Sequence, residues 1–216
     1  MDATFERASQ EEIAALAVFS PPTLHEAMGQ RGAMPACIKP IYPGMKLAGS
    51  ALTVRCKPGD NLAIHVAAAS AQPGDVLVVD NDGFVESGPF GDVLATACQA
   101  RGVVGLVIDG CVRDGPCLRE MGFPVFSRGL AMKGAAKTHP GEVGVPIVCA
   151  GVAVSPGDVV IGDDDGVVVV PRALIALALK AAREREDRED AIKEKLKAGA
   201  TTLDLLGLRP LLERAG

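Results

Sequence analysis

Residues 105–129 read GLVIDGCVRDGPCLREMGFPVFSRG, and this stretch indicates how the chain folds. The continuous apolar run over 103–108 predicts a buried strand that ends at Asp109-Gly110. Residues 115–122 predict a short helix, and 124–127 predict a second short strand. Strands that are apolar throughout, with helices between them, are typical of a parallel sheet that helices cover.

The same alternation extends outward from this stretch and then gives way to short strands. Upstream, the sequence predicts one or two helices within 11–31, a loop at 32–46, a strand at 48–56, a helix at 61–71, a strand at 76–80 and a helix at 91–101. Downstream, it predicts short strands at 146–149, 151–154, 158–161 and 166–170, and a last helix from Pro171 to about Ala198. We therefore predict an α/β protein.

A Pro-Gly-Asp turn occurs three times, at 58–60, 73–75 and 156–158. Proline presets φ for the second turn position, glycine accepts the positive φ of the third, and the aspartate can cap the element that follows. A fourth turn, Asp163-Asp164-Asp165-Gly166, lacks the later glutamate and the alternating ligands of a calcium loop. A hairpin turn is therefore favoured there.

The last helix changes character along its length. Its predicted apolar stripe consists of Leu174, Leu177, Ala178 and Ala181. At the same spacing the stripe then meets Arg185 and Arg188 before Ile192 and Leu196, so the middle of the helix leaves the core. Two interpretations stay open: a solvated face, or an arm that lies across a neighbouring subunit.

Composition excludes several classes of function. The net charge of −5 and the pI of about 5.3 argue against nucleic acid as a partner, which requires clustered cations. No apolar run is long enough to span a membrane, and the N-terminus lacks the basic-then-apolar order of a signal peptide. We therefore expect a cytoplasmic protein that contacts neither nucleic acid nor membrane.

The six cysteines show no zinc-site spacing, and we interpret them as small core or surface residues. Cys111 and Cys117 flank Arg113-Asp114, so a catalytic thiol is an alternative. It is disfavoured because no histidine lies nearby in the sequence to lower the thiol pKa. Dinucleotide, P-loop and serine-hydrolase motifs are also missing from the sequence.

Carboxylates and one arginine remain as candidates for chemistry. Asp80 and Asp109 end predicted strands, and Arg113 and Asp114 follow in the turn beyond, where an open α/β sheet binds its ligands. The arginine fork matches a substrate carboxylate in two hydrogen bonds, and aspartate supplies a hard oxygen for Mg²⁺. The alternative is a local Arg113–Asp114 ion pair that only stiffens the turn.

A second candidate element is the predicted helix start at Gly91-Asp92-Val93-Leu94. Backbone N–H groups at a helix N-terminus form an anion site. Asp92 alone is typical of an ordinary N-cap. Next to Arg113, however, the amides of Val93 and Leu94 could hold a second end of a carboxylate ligand.

Three motifs together resemble a known family. They are Gly91-Asp92-Val-Leu-Ala, the run from Ala100-Arg101-Gly102 through Asp109-Gly110-Cys-Val to Arg113-Asp114, and Gly122-Phe-Pro-Val-Phe-Ser-Arg128-Gly129. They resemble the 4-hydroxy-4-methyl-2-oxoglutarate / 4-carboxy-4-hydroxy-2-oxoadipate aldolase family, whose fold is shared with the regulator of ribonuclease E activity. With Pro156-Gly157-Asp158 and 163–171 included, the likeness covers roughly residues 20–208.

The resemblance implies a layered αββα sandwich of the swivelling β/β/α type with a long C-terminal helix. It implies one domain over 1–216, with a helical arm at about 171–198, assembled as a homotrimer or homohexamer. The implied activity is that of a class II pyruvate aldolase of aromatic degradation. Such an enzyme depends on Mg²⁺, Mn²⁺ or another divalent cation and decarboxylates oxaloacetate as a side reaction.

The resemblance also implies roles for individual residues. Arg113 would bind the pyruvyl carboxylate and keto oxygen, and Asp114 would contact the metal. Asp92 would hydrogen-bond water at the metal, which could act as the base. The implied substrate-binding residues are Gly91, Asp92, Val93, Leu94, Arg113 and, less securely, His65 and Glu26. Glu189 would reach the site of the neighbouring subunit.

Other functions remain as alternatives. The first is a non-enzymatic regulator that binds a ribonuclease or helicase, although this chain has the charged C-terminal helix that favours the enzyme. The second, a phosphohistidine swivelling domain, fits Thr138-His139-Pro140 poorly. A Schiff-base aldolase lacks an evident lysine, because Lys133 and Lys137 are expected to be surface charges. We expect the loops at 32–46 and 81–90 to form the far wall of the substrate pocket.

Overall fold

The computed structural model describes residues 5–213, and its elements follow the predicted order. The helices are α1 (Gln10–Leu16), α2 (Pro21–Ala27), α3 (Leu62–Ser70), α4 (Asp92–Ala100), α5 (Gly115–Glu120), α6 (Ile175–Lys197), α7 (Thr202–Leu205) and α8 (Arg209–Glu213). The strands are β1 (Lys39–Pro40), β2 (Leu47–Arg55), β3 (Asp75–Phe84), β4 (Gly105–Val112), β5 (Val125–Ser127), β6 (Gly129–Leu130), β7 (Glu142–Val143), β8 (Ile147–Cys149), β9 (Val152–Val154), β10 (Val159–Asp163) and β11 (Gly166–Val170).

Most strands form one mixed sheet in the order β1-β5-β4-β3-β2-β10-β11. Strands β2, β3, β4 and β5 are parallel, which requires the crossovers that α3, α4 and α5 supply. Strands β1, β10 and β11 pair antiparallel at the two edges. Lys39 of β1 donates to the Asp165 carbonyl oxygen in the β10–β11 turn at 2.6 Å, so the edges meet and the sheet is nearly closed into a barrel.

Side-chain alternation divides the core into an interior and two outer layers. Val76 and Val78 of β3 pack inside the barrel, whereas Leu77 and Val79 pack outward beneath α3 and α4. On the other side of the barrel, α1, α2 and α6 cover β10 and β11. Both faces of the strands are thus buried, which accounts for the continuous apolar runs. The predicted layered α/β fold with its long C-terminal helix is confirmed.

The turn chemistry is as the sequence indicates. In the three Pro-Gly-Asp turns, Gly59, Gly74 and Gly157 have φ of +78°, +88° and +89°. Asp60 accepts a hydrogen bond from the Leu62 amide at the start of α3. The other two aspartates instead close their own turns, because Asp75 accepts from the Gln72 amide and Asp158 from the Ser155 amide. The acidic stretch at 163–166 is the β10–β11 hairpin turn.

The predicted apolar stripe of the last helix is wrong in its register. Ile175, Ala178 and Ala182 are the buried residues of α6, whereas Leu177 is 59% exposed. A short 3-10 turn, Arg172–Leu174, precedes α6, so Leu174 of the predicted stripe lies outside the α-helix. Beyond Ala182, α6 leaves the core as an arm with no fully buried residue.

Among residues 5–213, no helix combines the length and the hydropathy that crossing a bilayer requires.

Candidate active site

A small cavity opens at the carboxyl ends of β2, β3 and β4, with a volume of about 180 Å³. Its walls come from the first turns of α3 and α4, the segment between β3 and α4, the residue after β4, and the segment after β6. The lining residues are Asn61, His65, Gly88, Pro89, Gly91, Asp92, Val93, Leu94, Arg113, Gly134, Ala135 and Lys137. The cavity is smaller than a typical drug-sized pocket, so it suits a small ligand.

Strand β4 is longer than predicted, and this separates the candidate carboxylates. It runs to Val112, so Asp109 lies inside the strand and does not end it. Ile108 packs outward towards α3 and α4, and Val107 packs inside the barrel. Asp109 shares the side of Val107, where it accepts from Arg128 and from the Ala150 amide. Asp80, its register partner on β3, is likewise not among the lining residues.

Arg113 follows β4 directly and lines the cavity. Its amide donates to the Phe90 carbonyl oxygen at 2.9 Å, which ties it to the segment before α4. Its Nε lies 3.3 Å from Asp114 Oδ2, with 43% and 33% of the two side chains exposed. The predicted ion pair therefore exists. At this exposure it stabilises the fold by at most about 1 kcal/mol, so stability alone is a weak reason for it.

Asp114 has a strained backbone and an unusual role at its helix. Its φ of +58° and ψ of +35° lie in the left-handed region, and it stands at the N-cap of α5 without capping that helix through its side chain. Its carboxylate instead accepts from the Asp92 amide of α4 at 3.4 Å. Left-handed geometry costs about 1–2 kcal/mol outside glycine, and such strain clusters at functional sites.

Gly91 allows this carboxylate to approach α4. Its backbone is extended (φ −154°), so no positive φ requires glycine here. A Cβ at Gly91 would lie 2.2 Å from Asp114 Oδ2 and 3.0 Å from Arg113 Cγ. The missing side chain therefore leaves the space in which Arg113 and Asp114 meet the helix start.

The amides at the start of α4 are partly occupied within the chain. The Asp92 amide points to Asp114, and the Val93 amide donates to Asp92 Oδ1 at 2.7 Å. The Leu94 amide belongs to the first turn, whose N–H groups lack intrahelical acceptors. It is therefore the better placed of the two amides predicted to bind an anion.

Two cavity residues, Asn61 and Lys137, were not recognised as such in the sequence. Asn61 Nδ2 donates to the Pro89 carbonyl oxygen at 2.7 Å. Asn61 Oδ1 and His65 Nε2 are buried and have no hydrogen-bond partner among residues 5–213. Burial lowers the pKa of His65, and the nearby Lys137 lowers it further, which favours the neutral imidazole. Lys137 is exposed, as predicted for a surface charge, and it also lines the cavity. The signal available for Asn61 was its place directly after the first Pro-Gly-Asp turn.

Asp60 holds the wall that carries Lys137. Its carboxylate is almost fully buried and accepts from Thr138 Oγ1 and from the Thr138 and His139 amides. Burial acts to raise the pKa of Asp60, but these bonds and the Leu62 amide together hold it well below its usual range. The ionised Asp60 thus fastens the 136–139 segment to α3. The predicted loop at 81–90 contributes Gly88 and Pro89, whereas the loop at 32–46 does not line the cavity.

The donor set can be compared with the needs of a divalent cation. Within residues 5–213, no group of three or more His, Cys, Asp or Glu side chains could hold a metal ion. Mg²⁺, however, keeps several waters and takes only one or two protein carboxylates. Asp114 is one-third exposed and uses Oδ2 for its two long contacts, and Asp92 is adjacent. These residues fit a water-rich Mg²⁺ site in which Asp114 is the protein ligand.

Glu26 and Glu189 lie apart from the cavity of their own chain. Arg185 of α6 joins them, at 3.7 Å from Glu26 and 2.8 Å from Glu189. Either could meet a cavity only in another subunit. The thiol alternative loses support at Cys111, which is buried inside β4 and whose pKa burial raises. Cys117 is exposed on α5 and does not line the cavity.

Comparisons with known proteins add to this geometry. Residues 21–169 match the family model RraA-like, described as Aldolase/RraA. A protein of Halalkalibacterium halodurans, provisionally named a 4-hydroxy-4-methyl-2-oxoglutarate aldolase, is 38% identical over 165 residues. The match covers 74% of this chain and 79% of the relative.

Several solved structures share the fold, and two of them are described as RraA proteins. Streptomyces coelicolor RraAS2, described as an unusual member of the RNase ES inhibitor RraA protein family, has a TM-score of 0.81 and 31% identity, covering 88% of this chain and 99% of its own. The RNA-processing inhibitor RraA from Thermus thermophilus has a TM-score of 0.65 and 30% identity, covering 71% and 93%. The similar proteins thus carry two kinds of description, one enzymatic and one regulatory.

Proposed function

The chain belongs to the RraA-like family, and from that membership we propose that it is a divalent-metal-dependent class II pyruvate aldolase. Its substrate would be 4-hydroxy-4-methyl-2-oxoglutarate, 4-carboxy-4-hydroxy-2-oxoadipate or both, cleaved to pyruvate and a second 2-oxo acid. The observation that carries the proposal is the meeting of Arg113 and the start of α4 at one small cavity, with Asp114 in contact with both.

Binding begins with the pyruvyl end of the substrate. The Arg113 guanidinium would hold the C1 carboxylate and the 2-keto oxygen, since its planar donors match two acceptors at once. The Leu94 amide would add a donor with the positive end of the α4 dipole behind it. These groups are preorganised, because the Arg113 amide is already bonded to the Phe90 carbonyl oxygen.

Cleavage then needs a proton acceptor and stabilisation of negative charge. The C4 hydroxyl loses its proton, the C3–C4 bond breaks, a carbonyl forms at C4, and C3 takes a proton to give pyruvate. Asp92 would orient the water that accepts the hydroxyl proton. Asp114 would hold the divalent cation, which supplies Lewis acidity to the 2-keto oxygen when bound. Arg113 adds a fixed positive charge at the same oxygen.

The remaining cavity residues suit the second acid group. Lys137 offers a cation, and Asn61 and His65 offer buried polar atoms that have no hydrogen-bond partner in the described part of the chain. Two cations and two carboxylates leave the site close to neutral, so one divalent cation would add the charge that a dicarboxylate balances. Oxaloacetate fits the same groups, which supports its decarboxylation as a side reaction.

The site is also proposed to need a second subunit. Glu189 would reach a neighbouring cavity from the α6 arm in a homotrimer or homohexamer, and Glu26 could act with it. The departure of the arm from its own core after Ala182 supports this proposal.

The direct test is pyruvate release by the purified protein from the methylated and the carboxylated substrate, in a dehydrogenase-coupled assay. We expect a chelator to abolish release and Mg²⁺ to restore it. Asp114→Asn should weaken the response to Mg²⁺, whereas Asp187→Asn, a change of an exposed carboxylate on α6, should leave it unchanged. Cleavage that survives chelation would refute the metal mechanism.

A regulatory function is the second candidate, because one similar structure is described as an RNA-processing inhibitor and another as an unusual member of the RNase ES inhibitor RraA protein family. It would be a non-enzymatic protein that binds a ribonuclease. Stoichiometric inhibition of an RNase E-type enzyme, with no pyruvate from any 4-hydroxy-2-oxo acid, would favour it over the aldolase.

A further inference from the structure

Arg128 joins three parts of the chain on the side of β4 that faces away from the cavity. Its Nε donates to the Asp109 carboxylate, and its Nη1 donates to Cys37 Sγ at 3.3 Å. Its amide donates to the Gly110 carbonyl oxygen at 2.8 Å. Arg128 does not line the cavity, so it has no direct contact with a ligand bound there.

The guanidinium also lies against an irregularity in β3. Pairing between β3 and β4 shifts from Asp80–Asp109 to Phe84–Gly110, which leaves three residues of β3 bulged. Within the bulge, a Cβ at Gly83 would lie 3.4 Å from Arg128 Nη2. Arg128 therefore covers the bulge from one side.

Three of the cavity-lining segments start from residues that Arg128 holds. Beyond the bulge, β3 runs into 88–94. Arg113 directly follows β4, four residues after Asp109. Immediately after Arg128, β6 leads to 134–137.

These segments are also bonded to one another at the cavity. The Gly88 amide donates to the Lys133 carbonyl oxygen and the Ala131 amide to the Val112 carbonyl oxygen, at 2.9 and 2.8 Å. A Cβ at Gly88 would lie 2.6 Å from the Ala131 carbonyl oxygen, so the two segments pack too closely to admit a side chain between them. A shift at the Arg128 end of one segment is therefore transmitted to the others.

We propose that Arg128 is a positioning residue of the cavity. By binding Asp109, the β3 bulge and the Cys37 segment together, it fixes the positions of Arg113 and of the two lining segments, 88–94 and 134–137. This proposal rests on the proposed function only for its catalytic readout. Arginine suits the task because its fork donates in two directions at once, whereas lysine is a single point charge.

The experiment compares Arg128→Ala and Arg128→Lys with Arg7→Ala. Arg7 makes a two-bond ion pair with the fully buried Asp75 at the opposite end of β3, so it is a matched control for the loss of a guanidinium–carboxylate pair. We expect Arg128→Ala to lower kcat by about 10²-fold with little change in KM, since a misplacement of about 1 Å has this effect. Arg128→Lys should recover part of the loss, and Arg7→Ala should keep kcat within about twofold of wild type while lowering the melting temperature.

Amide hydrogen exchange supplies a readout that does not depend on activity. Exchange should rise in 88–94 and 133–137 in the Arg128 variants and stay unchanged there in Arg7→Ala. If kcat and this exchange match those of Arg7→Ala, the proposal is overturned. If Arg128→Ala does not fold, Arg128→Lys decides by the same criteria. If wild type releases no pyruvate, the proposed function fails, and the exchange pattern still tests the positioning.

Discussion

Replacing Gly91 with alanine tests the site by a single methyl group. The Gly91 backbone is extended, so alanine can adopt it without strain. The new Cβ would lie 2.2 Å from Asp114 Oδ2, well inside contact distance, and 3.2 Å from Arg113 Nε. Both proposed functional side chains must move away from α4 to make room for it.

The size of the effect follows from these distances. Asp114 Oδ2 has to retreat by about 1 Å, a misplacement that typically costs ~10²-fold in rate. This corresponds to ~2.7 kcal/mol in the activation free energy. The free energy of unfolding should change little, because alanine at an N-cap costs ~0.5–1 kcal/mol and a less flexible unfolded chain returns ~0.4–1 kcal/mol. The melting temperature should therefore move by less than about 4 °C.

The assay is kcat/KM for pyruvate release at saturating Mg²⁺, measured beside the melting temperature. Gly122→Ala is the control, because Gly122 has a φ of +64° and a Cβ added there would meet no atom within 4 Å. Alanine there should lose ~1–2 kcal/mol of stability through backbone strain and keep its kcat/KM. Gly91→Ala should thus lose activity with little loss of stability, whereas Gly122→Ala should lose stability with little loss of activity.

Two results would contradict this reasoning. If Gly91→Ala keeps kcat/KM within about threefold of wild type, the position of Asp114 beneath α4 does not matter for turnover. The second result is a loss of activity in Gly91→Ala that only follows the loss of folded protein, as in the Gly122→Ala control. Gly91 would then serve folding and not the site.

Three further outcomes are expected. Arg113→Ala should lower kcat/KM by ~10²–10³-fold and change the free energy of unfolding by less than ~1 kcal/mol. The coupled assay and thermal melts measure these two quantities. A loss of stability without a loss of activity would restore the interpretation as a simple ion pair. Asp114→Asn should raise the Mg²⁺ concentration for half-maximal activity at least ~10-fold, and an unchanged titration would remove Asp114 as the ligand. Burial raises the pKa of Asp80 and the carboxylate of Asp109 adds to this, so Asp80 binds its proton more tightly in the folded chain than in the unfolded chain, and its own contribution to stability falls as pH rises above about 4. Asp80→Asn should therefore melt above wild type at pH 7, with the two curves converging below about pH 4; a lower melting temperature at pH 7 would show that the charge is stabilising.

Much of the fold could be predicted because its signals are local. The Pro-Gly-Asp turns fix backbone geometry within three residues, and Ser20 caps α2 through the Thr23 amide. Apolar runs such as 76–79 identify strands that are buried on both faces. The apolar stripe of α6 was misjudged because apolar residues occur on more than one side of this helix, and packing against α1 and α2 decides which side is buried.

The candidate site was less predictable, because residues that are close in the sequence separate in space. Asp109 and Arg113 are four positions apart, yet the extra length of β4 places Asp109 inside the barrel against Arg128, while Arg113 lines the cavity. Asn61 and Lys137 come together from distant parts of the chain. Asp60 makes that approach possible by bonding to Thr138 and His139.

The sequence by itself determined the α/β class, the turns, and the residue types that meet at Gly91–Leu94 and Arg113-Asp114. These follow from backbone preferences and from apolar periodicity, which act over a few residues. The tertiary structure alone decided which carboxylates share a cavity and which are held by an arginine on the other face. That choice depends on strand length and register, because a shift of one residue in a strand turns every side chain to the opposite face.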